Sequence, residues 1–282
     1  MNTLCFKEGN SYNLLKDITL GQFFPGNSPV HRINASVKII LSIIYLVMIF
    51  TIKNFIGYAL LGGFILAVVW SSKVPLKFII KGLRPVLFFI VFTAVINAFM
   101  IAGETILFEL WFLKVTYEGI RYAAFMVLRI IFMVVGTSML TYTTSPIALT
   151  DGIETLLKPF SRLGMPAHEI AMMMTIALRF IPTLIEEADK IIKAQTARGA
   201  DFESGNIFKR AKSLLPLLVP LFVSAFRRAD ELAIAMEGRC YRGGNNRTRL
   251  NVAKVGMIDV YACAVVVLFG IVLTVINQRV LV

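Results

Sequence analysis

The sequence predicts an all-α fold: a polytopic membrane protein with about five transmembrane helices and a cytosolic or interfacial region of about three helices, two of them long. Three observations carry this. Of the 282 residues, 57% are hydrophobic, and the mean hydropathy is +0.75. Charged residues make up only 16%, where a soluble domain carries about 25%. The apolar residues also come in blocks. Several approach the roughly 20 residues that cross ~30 Å of hydrocarbon at 1.5 Å per residue.

Five spans follow in order. The first covers about 37–53 and the second about 55–71, with only Asn54 and its neighbours between them, so they form a tight helical hairpin. The third covers about 86–103, the fourth about 122–141 and the fifth about 257–277. Loop charge orients them. The link 72–85 carries Lys73, Lys77, Lys81 and Arg84 and no acid, whereas the link 104–121 sets Glu104, Glu109 and Glu118 against Lys114 and Arg121. Basic loops stay inside, so the first link is cytosolic and the second external. The N-terminus then lies inside and the C-terminus outside. Lys53, Lys114, Arg121 and Arg279 are the basic residues left on the outer side.

The segment 214–226 is apolar but contains Pro216 and Pro220, and its 13 residues span about 20 Å as helix. Lys209, Arg210 and Lys212 precede it, and Arg227 and Arg228 follow it. A span here would also export Arg239, Arg242, Arg247 and Arg249, against the positive-inside bias. It reads instead as the buried half of a long interfacial helix. The segment 169–185, with Pro182, reads the same way. The chain therefore divides into 1–141, an N-terminal cytosolic segment with four spans; 142–256, cytosolic or interfacial; and 257–282, the last span. Within the middle region a shorter helix at about 146–163 precedes long helices at about 167–199 and 205–241. The run Gly243, Gly244, Asn245, Asn246 is a stop signal after the second.

The net charge of +12 would favour nucleic acid in a soluble protein. Here it holds loops inside, and no aromatic-interleaved basic module points to nucleic acid. Cys5, Cys240 and Cys263 form no CxxC pair and no even framework, which supports neither a disulfide scaffold nor a metal site. The first 30 residues lack an apolar stretch of signal-peptide type. His31 and His168 lie on different segments, and no catalytic set or cofactor site emerges. Without a Walker lysine motif, the chain is not expected to hydrolyse ATP. Glu186–Lys190 and Asp189–Lys193 are spaced as helix-surface pairs. Arg129, inside the fourth span, is a functional candidate by position; snorkelling or a bond to an interhelical carbonyl is the structural alternative. Met172, Met173 and Met174 are either core packing or an adaptable apolar surface for exchangeable partners.

The strongest pattern lies at the ends of the two long helices. The first ends Ala197-Arg198-Gly199, and the second ends Glu237-Gly238-Arg239-Cys240. Gly199 suits a left-handed helix stop. An arginine at such an end is long, always charged and forked, and can reach a carboxylate or helix C-terminal carbonyls on another protein.

In these residues the chain resembles the transmembrane T component (EcfT, CbiQ-like) of energy-coupling factor transporters, ABC-type importers of vitamins and transition-metal ions. That family carries two Ala-Arg-Gly-type motifs at the ends of crossed cytosolic helices. The first matches directly. The second keeps its arginine but not the flanking Ala and Gly. Arg179-Phe180-Ile181-Pro182, Gln195 and the run from Ser28 to Lys38 add to the resemblance, although Ala35-Ser36 stand where the family more often has Pro-Arg. The resemblance implies a non-catalytic subunit of the cell membrane that binds two cytosolic ABC ATPase subunits at Ala197, Arg198, Gly199, Glu237, Gly238 and Arg239. It also implies a separate substrate-binding membrane subunit. A self-sufficient permease is the competing reading. It calls for buried polar residues within the spans, where this chain offers little beyond Asn97 and Arg129.

Overall fold

In the computed structural model, which describes residues 23–100, 106–110, 113–200, 212–243 and 255–279, polar caps start the first helices. Ser28 caps α1 (Pro29–Arg32), with proline at the first helical position. The Asn34 side chain accepts from the Ser36 N–H at 3.1 Å and starts α2 (Ala35–Thr51). α3 (Phe55–Ser72) follows after three residues. This tight hairpin, expected from the sequence, is tied by Asn277. Its side chain accepts from the Lys53 N–H at 3.2 Å and donates to the Thr51 carbonyl at 3.0 Å.

Next come α4 (Leu76–Leu83), a 3-10 turn at Arg84–Val86 and α5 (Leu87–Met100). The third apolar helix thus runs from Leu76 to Phe99 rather than starting at 86, and the link 72–85 is mostly helical. The reason is amphipathic: Leu76, Ile79, Ile80 and Leu83 recur at helical spacing, with Lys77 and Lys81 between them. Pro85 tightens the backbone into a 3-10 turn without ending the helix. The link 104–121 holds a short antiparallel hairpin that the all-α reading did not contain. In it β1 (Ile106–Leu110) pairs with β2 (Leu113–Thr116), and Glu109 stands opposite Lys114. Thr116 then caps α6 (Tyr117–Thr143) by accepting from the Gly119 N–H at 3.1 Å. α7 (Pro146–Leu157) runs into a 3-10 segment, Lys158–Leu163, where one helix over 146–163 was expected. Pro159 at its start cannot donate an α-helical hydrogen bond.

The chain forms two compact units. The first spans Gly21–Leu156 and Asn251–Val282, so it ends in α10 (Met257–Arg279). Its core lies among α2, α3 and α6, where Ile49, Tyr58, Leu61 and Tyr142 are almost fully buried. Two tyrosines of this core reach carbonyls: Tyr45 donates to Phe132 at 2.7 Å, and Tyr142 donates to Phe78 at 3.0 Å. Gly136 gives the Tyr45 ring its room, because a Cβ there would overlap it. Large apolar side chains such as Phe50, Phe88 and Leu268 point outward. That costs nothing in lipid, which is as apolar as leucine.

The second unit includes Leu157–Leu250 and contains α8 (Ala167–Ala197) and α9 (Leu215–Glu237). Lys212 and Ser213 are helical, and α9 itself starts at Leu215. Residues 205–211 of the expected helix lie outside the described residues, and the helix restarts after a turn at Leu214, with Pro216 in its first turn, where proline fits. Five helices are long and apolar enough to cross a membrane: Phe55–Ser72, Leu76–Phe99, Tyr117–Thr143, Ala167–Ala197 and Met257–Arg279. Four of these match expected spans. α2 is a shorter apolar helix of 17 residues, at the lower limit for a span, and α8 reaches the length without having been read as one.

Candidate functional site at two helix ends

Two successive backbone hydrogen bonds define the end of α8. The Gly199 N–H donates to the Thr196 carbonyl at 2.9 Å, and the Ala200 N–H donates to Gln195 at 3.0 Å. Gly199 has φ +87°. This is the Schellman arrangement, in which a left-handed residue turns the chain back to satisfy the last orphan carbonyls. Arg198 is the residue just before that reversal, and it is exposed.

The end of α9 repeats the arrangement with different residues. The Cys240 N–H donates to Glu237 at 2.8 Å, and the Tyr241 N–H donates to Met236 at 3.0 Å. Cys240 has φ +56°. Hence Gly238, Arg239 and Cys240 occupy the places of Ala197, Arg198 and Gly199. Arg239, also exposed, stands immediately before the reversal. The sequence placed this helix end near Tyr241; it comes earlier because Cys240 already takes the left-handed conformation. The second motif departs from Ala-Arg-Gly in residue type but keeps its backbone geometry. Glu237, exposed one turn back, contributes its carbonyl to the cap.

α8 and α9 are joined by a side-chain brace that sequence reading missed. The Ser224 hydroxyl donates to one Glu187 oxygen at 2.6 Å, and Arg228 pairs with the other. The Ser224 hydrogen bond, with Arg228 beside it, holds the Glu187 carboxyl below the usual carboxylate range. Glu187 to Arg198 and Arg228 to Arg239 are both eleven-residue intervals. Each is about 16 Å of helix and close to three full turns. Two arms of equal length therefore run from one brace to two equivalent caps. Of the two expected surface pairs, Asp189–Lys193 forms at 2.7 Å, while Glu186 and Lys190 stay exposed and apart. Such pairs contribute only tenths of a kcal/mol, and water competes for them.

On the other side of the brace lies the apolar half of α8. There Met173 and Met174 are exposed and Met172 is half-buried. Along α9, Leu215, Leu218, Phe222 and Phe226 form an exposed apolar stripe at helical spacing.

Arg129 belongs to the first unit and serves its packing. It donates to the Tyr58 hydroxyl at 3.1 Å and to the Ile52 carbonyl at 3.5 Å, and it sits over the Phe50 ring. A second polar cluster in that unit also escaped sequence reading. The Lys38 ammonium is buried and donates to the Thr143 carbonyl at 2.8 Å and the Thr144 hydroxyl at 3.2 Å. The buried Asp259 accepts from the N–H groups of Asn34 and Gly256, both at 2.7 Å. The only signal for Lys38 and Asp259 was a single charge near the start of an apolar run. His31 is engaged structurally, with Ser28 and with the Phe24 carbonyl.

A family model described as CbiQ, cobalt transport protein, matches residues 26–250. The energy-coupling factor transporter transmembrane protein EcfT of Thermosediminibacter oceani is 59% identical over 88% of this chain and 93% of its own length. The protein of the same name from Ruminiclostridium cellulolyticum is 55% identical over 91% of this chain and 96% of its own. That of Bacillus subtilis is 46% identical over 84% and 89%.

Proposed function

The chain belongs to the CbiQ cobalt-transport protein family, and on that premise we propose that it couples ATP hydrolysis in partner subunits to substrate uptake. It is a transmembrane component of an energy-coupling factor transporter. In the proposed arrangement Arg198 and Arg239 each engage one of two cytosolic ABC ATPase subunits, with Ala197, Gly199, Glu237 and Gly238 shaping the two contacts. The observation that carries this reading is the pair of equivalent caps, each presenting an exposed arginine at an equal distance from one brace. Two related sockets, one on each ATPase subunit, call for two tips of matching geometry.

The exposed Met173, with Met172 and Met174 beside it, is the proposed surface for a separate substrate-binding membrane subunit. Unbranched, polarisable side chains suit a surface that accepts exchangeable partners. The transported substrate is a vitamin or a transition-metal ion. In this arrangement the chain is a non-catalytic subunit that spans the cell membrane with residues 142–256 on the cytosolic side. Cysteine labelling of intact cells tests that orientation: position 109 should react with an external reagent and position 245 should not.

The central test is co-purification from mild detergent. Replacing one arginine by glutamate at a desolvated contact commonly costs about 2–5 kcal/mol. The double change Arg198→Glu with Arg239→Glu should abolish recovery of the ATPase subunits and transport, while the chain still inserts. Single changes should weaken assembly in part, because the other anchor remains. Arg→Lys should be milder, since it keeps the charge and loses the fork. Met173→Asp should lose the substrate-binding subunit and retain the ATPases. Full ATPase recovery in the double mutant would remove the mechanism.

A further inference from the structure

Between the end of α3 and the start of α4, the surface holds an apolar groove of about 540 Å³. Leu66, Ala67, Trp70, Val74 and Leu76 line it, and Lys73 is the only charged residue among its walls. Trp70 is 87% exposed, the largest side chain of this groove and nearly free of protein contact. Lys73 itself sits in the left-handed turn that ends α3, with φ +56°. The apolar helix Phe55–Ser72 stops here and the next, Leu76–Phe99, begins after only three residues, so the turn lies at the level where hydrocarbon meets water. An exposed tryptophan belongs at that depth.

From the groove a row of cations continues along the next helix. Lys77, Lys81 and Arg84 are spaced four and three residues apart, which places them on one face, and all are exposed. Among the described residues, none of the four cations makes an ion pair or a side-chain hydrogen bond. The sequence supplies no local counter-ion either: there is no acid between Asp17 and Glu104. Like charges one turn apart destabilise a helix, and a row of them persists at low cost when anions from outside neutralise it.

We propose that this turn binds an anionic phospholipid, with an acyl chain in the groove beside Trp70 and the headgroup phosphate on Lys73 and the row behind it. Groove and cations argue for one molecule that is apolar at one end and anionic at the other. A free phosphate would leave the groove unused, and an acidic protein surface would leave it facing an unlike partner. The site does not depend on the coupling reading, because it lies in the first unit and involves neither helix tip.

Trp70 provides the readout. The chain has two tryptophans, Trp70 and Trp111, so Trp111→Phe leaves a single fluorophore in the groove. The full-length variant is reconstituted in phosphatidylcholine bilayers, and phosphatidylglycerol with brominated chains is titrated in. Brominated phosphatidylcholine is the control. Half-quenching is expected at a mole fraction of brominated phosphatidylglycerol lower by on the order of fivefold for each cation engaged. The preference should shrink as salt rises. Lys73→Gln and Lys77→Gln should each remove about one such factor. The quadruple change of Lys73, Lys77, Lys81 and Arg84 to Gln should equalise the two lipids and leave quenching by brominated phosphatidylcholine unaltered, which shows the chain still inserted. Equal quenching by both lipids in the parent, or a preference that survives the quadruple change, overturns the site. Loss of the preference on adding millimolar inorganic phosphate at constant ionic strength reassigns it to a free anion.

Discussion

Two pairs of cations, one pair in each unit, are used in opposite ways. In the first, Lys38 and Arg129 turn inward, and their donors go to the carbonyl of Thr143, the hydroxyls of Thr144 and Tyr58, and the carbonyl of Ile52. In the second, Arg198 and Arg239 point outward while their backbone makes the cap. Where a cation sends its N–H groups therefore separates structural cations from presented ones. The lesson applies to Arg129 above all: its depth in an apolar helix suggested function, and its partners show packing.

The largest effect that can break this contrast is at Lys38. Lys38→Met leaves the Thr143 carbonyl and the Thr144 hydroxyl buried without the ammonium. Each unsatisfied buried group costs about 1–3 kcal/mol, so a loss of about 3 kcal/mol is expected. Arg198→Met and Arg239→Met should stay within about 0.5 kcal/mol of the parent, as exposed substitutions do. Thermal unfolding of the purified chain in detergent measures all three. If either tip variant unfolds as readily as Lys38→Met, the tips are structural and the contrast fails.

How far the sequence announced these features depended on whether residue type or backbone carried them. Apolar blocks exposed α3 and α10 to within two residues, and α6 except for its first five residues, because lipid imposes length and composition together. α4 stayed hidden because Lys77 and Lys81 interrupt its apolar run, and charge reads as loop until helical spacing is counted. The cap at Arg198 was legible through Gly199, whose left-handed φ glycine adopts without strain. The matching cap at Arg239 was not, because Cys240 takes the same conformation without announcing it. Glu187 stood out in neither of the expected helix-surface pairs, since spacing rules see neighbours on one helix and not Ser224 and Arg228 on the next.

The brace sharpens the comparison from the other side, as the place where the second unit uses a charge internally. Because the Glu187 carboxyl lies below its ordinary range in the fold, its contribution is present above the unfolded-state value, near 4.3. It is lost as pH falls through the lower folded value. Spin labels at Thr196→Cys and Ala235→Cys, in a chain freed of its native cysteines, report the spread between the two arms. A narrow distance distribution is expected at neutral pH, broadening only in acid. Glu187→Gln should broaden it at neutral pH and remove the acid dependence. The effect is modest, because a partly exposed pair is screened by solvent. An unchanged distribution in Glu187→Gln would mean that apolar contacts alone hold the arms.

The smallest expected effect distinguishes the two caps themselves. A left-handed non-glycine residue costs about 1–2 kcal/mol, and Cys240 carries that cost where Gly199 does not. Cys240→Gly relieves it but gives the unfolded chain more freedom, which offsets about 0.5–1 kcal/mol. The net gain is about 0.5 kcal/mol. Gly199→Ala runs the comparison backwards. Nothing lies within 4 Å of a Cβ there, so its loss of about 1 kcal/mol comes from backbone conformation alone. If Arg198 and Arg239 are presented by the cap geometry, Cys240→Gly should leave ATPase recovery intact, and Gly199→Ala should lower it more than it lowers thermal stability. The two measurements, unfolding temperature and co-purification, then move together for neither variant. Equal losses of both in Gly199→Ala would assign the glycine to stability and detach the cap from the contact.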